Sequence, residues 1–208
     1  MNLRLVPMAA AVLAASLSWP SSAQAHQAGD WLLRLGVHMV DPKSDNGSLA
    51  GGALAADVDS NARPTLMIER MLTNQLGIEL IAAVPFRHDI ALNGAHAGST
   101  KHLPPTLSLQ WHFNPTGTVQ PYLGGGVNYT WFDGEKSAGP IEGTTLKLGN
   151  SWGLAAHAGI DFRIDERWFA GFDVRWIDID TEVKVDGANV GSVQIDPIVY
   201  GAYVGIRF

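Results

Sequence analysis

Near the carboxy-terminus the chain alternates strictly. From Asp196 onward Ile198, Tyr200, Ala202, Val204, Ile206 and Phe208 fall on one face, and Val199, Gly201, Tyr203, Gly205 and Arg207 fall on the other. Period two marks a β-strand. One face is apolar without a break to the last residue, which suits a strand facing lipid outward and a lumen inward. Seven earlier stretches repeat the pattern. Their outward-facing sets begin with Trp31, Leu33, Leu35, Val37 and Met39 in residues 30–40. Further strands are predicted at 63–72, 75–84, about 103–113, 120–131, 152–163 and 168–176.

Connections alternate in length. Thr73-Asn74, Asn114 to Thr118 and Asp165-Glu166-Arg167 are short turns, whereas residues 41–61, 85–101, 132–151 and 177–194 read as long loops rich in turn formers. The expected fold is all-β: an eight-stranded antiparallel transmembrane β-barrel with short periplasmic turns and long extracellular loops. Tryptophan placement agrees with it. Trp31, Trp111 and Trp168 fall at the short-turn ends of their strands, and Trp131, Trp152 and Trp176 at the long-loop ends, all on the apolar face. Two aromatic girdles are what a bilayer's two interfaces select. A soluble barrel would turn its apolar face inward and has no reason to sort Trp this way.

The first 25 residues carry Arg4, an apolar run from Leu5 to about Trp19, and Ala23-Gln24-Ala25. This reads as a signal peptide cleaved after Ala25, leaving residues 26–208 as one barrel domain. The run is short of the ~20 residues of a spanning helix. With no cysteine, the chain has neither a disulfide framework nor a thiol nucleophile. A formal charge of −6, without basic clusters, argues against nucleic acid as a partner. The expected location is the outer membrane of a Gram-negative cell, with lipid as a partner.

Several motifs in order, Ala83-Val84-Pro85-Phe86-Arg87-His88, His102-Leu103-Pro104-Pro105-Thr106-Leu107, the stretch from Pro121 to Thr130, Ser151-Trp152-Gly153 and the final aromatic, resemble the OmpW family of small outer-membrane barrels. The likeness spans essentially the whole of residues 26–208. It implies a monomeric eight-stranded barrel associated with passage of small hydrophobic molecules, with small amino acids or bacteriocin reception linked to some members.

The inward faces hold Arg34, Arg163, Arg175 and Arg207 with Glu69, Glu79, Asp161 and Asp173. Charges inside a narrow lumen must pair, so a polar network blocking a straight pore is expected. Pro85 ends the third strand and Pro104-Pro105 begin the fourth; lacking N–H donors, they predict failed pairing and a lateral opening at Pro85, Phe86, Leu103, Pro104 and Pro105. Leu49, Leu54, Val58, Ile90 and Leu92 are candidate walls of an apolar vestibule above it.

Other chemistry finds little footing. His88, His96 and His102 share a loop without a closed metal-ligand spacing. Asp89, Ser99 and His102 share it too, but a catalytic triad is a geometric claim. Gly124-Gly125-Gly126 lies within a strand with no helix after it, so it is no phosphate loop. No catalytic residue, metal or cofactor is expected. The leading expectation is passive uptake of small hydrophobic molecules by lateral exit. The alternatives are a surface receptor or envelope-stress structural barrel that does not transport, and a narrow channel for small amino acids.

Overall fold

The computed structural model describes residues 26–208; the expected signal peptide lies outside the described residues. The strands are β1 (Trp31–Asp41), β2 (Ser48–Leu49), β3 (Leu54–Val58), β4 (Asn61–Met71), β5 (Leu76–Ala83), β6 (Phe86–Leu92), β7 (Ala95–Leu103) and β8 (Thr106–His112). They continue with β9 (Val119–Ser137), β10 (Leu146–Leu148), β11 (Ser151–Arg163), β12 (Trp168–Ile177), β13 (Asp180–Val185), β14 (Ala188–Gln194) and β15 (Ile198–Arg207).

Eight of them, β1, β4, β5, β8, β9, β11, β12 and β15, form a closed antiparallel barrel, with β9 pairing β11 and β15 pairing β1. Closure pairs every interior ladder, which lets strands cross lipid. The start of β1 meets the end of β15 at the short-turn end, where Trp31 N–H donates to the Phe208 carbonyl at 2.8 Å and Phe208 N–H donates back at 3.0 Å.

Side-chain burial follows the expected alternation. In β8, Thr106, Ser108, Gln110 and His112 are buried while Leu107, Leu109 and Trp111 are exposed. All six girdle tryptophans lie outside, Trp152 being 74% exposed. Register sets them at opposite rims: Trp168 pairs Ile206 and Trp111 pairs Leu76 at one end, Trp131 pairs Leu103 and Trp176 pairs Ile198 at the other. Gly124 shows why the glycine run is needed. A Cβ there would run into the His157 ring and sit 2.8 Å from the Leu109 carbonyl oxygen.

The long connections differ from the expectation of loops, because most of them are strand. β6 and β7 form a hairpin whose second strand pairs the outer part of β9, from Leu103↔Trp131 to Gly98↔Ser137. β10, β13 and β14 make a separate three-stranded sheet. Two-residue turns explain both hairpins: Asn93-Gly94 (φ 50° and 79°) and Asp186-Gly187 (φ 50° and 83°) adopt the left-handed geometry that matches strand twist. Asn46 fastens the first connection to the last. Its amide donates to the Gln194 carbonyl at 2.9 Å and accepts from Val58 N–H at 3.0 Å.

Candidate functional site

The lumen has two levels. At the lower one, the Arg34 guanidinium is fully buried, 2.8 Å from Glu69, 3.1 Å from Asp161 and 3.3 Å from Glu79. Arg175 lies 2.8 Å from Glu79 and 2.5 Å from Asp173. Imidazoles complete the remaining carboxylates: His38 Nε2 is 2.6 Å from Asp173 and His112 Nε2 is 2.8 Å from Glu69. Tyr203 donates to Asp161 at 2.6 Å and contacts the Tyr122 hydroxyl at 2.8 Å. Pairing and hydrogen bonding offset the desolvation of these charges, and Arg34, Glu69, Glu79 and Asp161 are each 0% exposed within the barrel.

Arg163 and Arg207 lie nearer the barrel's end. Each ends or nearly ends its strand at the short-turn rim, where Arg163 donates to the Thr116 carbonyl at 3.1 Å and Arg207 to the Glu166 carbonyl at 2.5 Å. Arg207 also lies 3.9 Å from Asp30. Sequence parity sets the side of the wall that a residue faces; height along the barrel separates the plug from its rim. Conversely, Gln110, Tyr122, His38 and His112 belong to the network although their charge does not advertise them.

Above the plug the lining turns apolar. Leu49, Val58, Ile90 and Leu92 border an apolar hollow, the vestibule, together with Ile141, Leu146, Val183, Val193 and Ile195. Leu54 is half-buried and packs against the same apolar cluster without lining the space. The second group comes from β10, β13 and β14 and the connection before them, segments that read as polar loop. Their signal was present as Thr181, Val183 and Val185 at period two on either side of Glu182 and Lys184.

Between the two levels the wall is interrupted. The β5–β8 ladder ends at Ile81↔Thr106, and the β6–β7 ladder begins at Phe86↔His102. No pair of either ladder joins residues 82–85 to residues 103–105. Each side stays attached to its other neighbour: Val84 N–H donates to the Pro64 carbonyl and Tyr129 N–H to the Pro105 carbonyl, both at 3.1 Å. Pro85, Pro104 and Pro105 lie in this break, where a residue without N–H leaves the ladder no donor. The expectation put a lateral opening at the strand ends; the β6–β7 hairpin continues above the unpaired segment. An inner pocket bordered by Ala83, Phe86 and Pro104 lies on the lumen side. An outer hollow bordered by Pro85, His102, Leu103 and Trp131 lies on the other. Phe86 and His102 are buried between them, rings stacked with centroids 5.5 Å apart.

The histidines of the β6–β7 hairpin form neither a catalytic relay nor a ligand cluster. Asp89 and Ser99 are paired backbone neighbours, but neither ring nitrogen of His102 has a hydrogen-bond partner, so the three make no relay. His88 and His102 stack while His96 is exposed nearer the hairpin tip, so the three do not converge. His26, His112 and Asp161 each place a ligand-type atom within 4.8 Å of the others. Asp161 is engaged by Arg34 and Tyr203, and His112 Nε2 by Glu69, so only imidazole nitrogens stay open there. Burial, helped by the neighbouring His88, holds the His102 imidazole well below its ordinary range. Burial also lowers His88, against the opposing effect of the Asp59 carbonyl.

Comparison with known proteins agrees with this architecture. The OmpW family model matches residues 27–208. Outer membrane protein W of Salmonella typhimurium is 37% identical over 95% of this chain and 97% of its own. The crystal structure of the outer membrane protein OprG from Pseudomonas aeruginosa superposes with a TM-score of 0.80 at 35% identity, covering 88% of this chain and 98% of that one. A more distant relative, the dibenzothiophene metabolism operon protein PahQ of Pseudomonas aeruginosa, is 25% identical over 86% of this chain and 88% of its own. The chain belongs to the OmpW family and is an integral β-barrel of the outer membrane.

Proposed function

We propose that this barrel is a passive channel for small hydrophobic molecules, which collect in the apolar vestibule and leave sideways into the membrane between β5 and β8. The observation that carries this reading is the height of the wall break. It lies below the vestibule and at the top of the Arg34–Arg175 plug, whose His38 and Arg175 border the inner pocket, so an apolar molecule meets the break without having to pass through the polar network. An apolar molecule gains by leaving water for such a surface, at ~25 cal/mol per Å² buried, and loses nothing on passing into lipid. Crossing the plug would instead bring it against charged groups that it cannot pair. Dibenzothiophene, after whose metabolism the operon of the 25% identical relative PahQ is named, is an apolar aromatic compound, which is consistent with this class of cargo.

The test is uptake of a hydrophobic probe beside a small neutral amino acid, with the barrel's fold checked by heat-modifiable gel migration. Wild type is expected to speed the hydrophobic probe alone. Substituting Pro104 and Pro105 by strand formers such as Val and Thr is expected to abolish that gain in a folded barrel. Amino-acid flux would mean that the plug conducts. No flux of either would favour a receptor or structural role.

A further inference from the structure

The outer surface of the wall carries three cations just above the outer aromatic girdle. Trp131, paired with Leu103 across β9 and β7, faces outward at that girdle and is 57% exposed. Two residues farther from the membrane on the same face, Lys101 pairs Asp133 and, across the hairpin, Arg87; one step beyond, Lys136 pairs Ser99. Arg87, Lys101 and Lys136 are all exposed. At ~3.3 Å per residue, Lys101 stands about 7 Å outside the level of Trp131, where headgroups take over from acyl chains.

These cations lack the partners that the other lysines have. Lys43, Lys147 and Lys184 lie 2.8, 3.2 and 3.9 Å from Asp196, Glu135 and Glu182. Among the described residues no carboxylate makes an ion pair with Arg87, Lys101 or Lys136, and Arg87 has only a 3.5 Å contact with the Ser99 hydroxyl. Arg87 and Lys101 stand directly opposite each other, which costs stability unless an anion lies against both. The hollow beside them is amphipathic, with Lys101 and Asp133 on its outer side and Pro85, Leu103 and Trp131 below. A soluble anion has no use for the apolar part, and an uncharged lipid has none for the cations. Asp89 and Asp133 flank the cations, so three positive charges less two negative leave a surplus of one. Carboxylates accept from hydroxyls, so a headgroup offering both phosphate and hydroxyls fits the mixed patch better than a bare phosphate.

We propose that this face is a seat for a phosphorylated glycolipid of the outer leaflet, the lipid A part of lipopolysaccharide. Its phosphate lies against Arg87, Lys101 and Lys136, its sugar hydroxyls donate to Asp89 and Asp133, and an acyl chain runs along Pro85, Leu103 and Trp131. The seat is on the outer surface of the wall, so it goes beyond the uptake reading and does not depend on it.

Three lipids test it on the full barrel in phosphatidylcholine nanodiscs: lipid A, its dephosphorylated form, and phosphatidate, which has the phosphate without the sugar. Retention of each is read by native mass spectrometry of the released barrel, and folding by heat-modifiable gel migration. Wild type is expected to hold lipid A about tenfold more tightly than the dephosphorylated form, the size of clustered Lys and Arg contacts at a lipid surface, and more tightly than phosphatidate. The variant Arg87→Gln/Lys101→Gln/Lys136→Gln is expected to lose that preference. A control, Lys43→Gln/Lys147→Gln/Lys184→Gln, removes the same charge from paired sites and should keep it. Equal retention of lipid A and its dephosphorylated form overturns the proposal, and so does an equal loss in both variants, which would mean that only the overall charge matters. Phosphatidate held as tightly as lipid A also overturns it, because the face would then attract any anionic lipid.

Discussion

Phe86 and His102 face each other across the first pair of the β6–β7 ladder, and their rings stack 21° from parallel directly over the break in the barrel wall. The stack is continued by His88, 4.8 Å from His102, and by Phe132, 5.8 Å away on β9. Aromatic side chains thus fill the space that the ladder leaves open. On the proposed lateral route these rings are the obstruction, held by packing and not by ladder hydrogen bonds.

Phe86→Ala is therefore expected to raise flux of a hydrophobic probe severalfold, since it removes the ring shared by the inner pocket and the stack. Loss of a buried phenyl group costs roughly 3 kcal/mol, which a barrel closed by eight ladders should survive. Stopped-flow uptake into proteoliposomes measures the effect; unchanged or slower uptake would mean that Phe86 does not obstruct the route.

Arg34 and Arg163 lie on inward faces of their strands but should differ sharply in weight. Arg34→Met removes the guanidinium shared by three carboxylates at 0% exposure, leaving Asp161 with no cation, and is expected to lower stability by roughly 3–5 kcal/mol. Arg163→Met, at the rim, should cost no more than about 1 kcal/mol, the worth of its hydrogen bond to Thr116. Urea unfolding in micelles, followed by tryptophan fluorescence, compares them.

Acidification should loosen the outer hairpin. His102 and His88 are held below the ordinary imidazole value of 6.5 by burial, so the folded protein takes up fewer protons than the unfolded chain as pH falls. Stability is unaffected above that value, begins to fall as pH drops through 6.5, and levels off only once the folded imidazoles protonate. Proteolysis of the β6–β7 hairpin between pH 8 and 5 is expected to quicken below about 6.5, the unperturbed imidazole pKa, and His102→Phe should flatten the response. A profile flat in wild type would contradict the burial of these rings.

The barrel was largely legible because lipid enforces one rule along every strand: Leu107, Leu109 and Trp111 must face out while Gln110 and His112 face in. Pro85, Pro104 and Pro105 signalled where ladder pairing stops, since a missing N–H acts locally. What lies above the membrane obeys a weaker rule. There Val183 and Val193 face a shared cavity while their neighbours face water, and their stretches carry enough Gly, Asn and Asp to pass for loop. The Asn93-Gly94 and Asp186-Gly187 dipeptides were the available signal, each a two-residue hairpin turn. Arg163 and Arg207 were grouped with the plug because parity assigns a face, not a height.

The central claim is that cargo passes through the window between β5 and β8, and the absence of native cysteine allows it to be shut at will. Ala83 and Pro104 border the same inner pocket from opposite sides of the break. The measurement is uptake of a hydrophobic probe by proteoliposomes carrying the Ala83→Cys/Pro104→Cys variant, before and after reduction, with the crosslink verified on a gel. Lateral exit predicts uptake at the protein-free rate while the disulfide is closed and recovery when it is reduced. Undiminished uptake through a verified crosslink would contradict it and place the route elsewhere in the barrel.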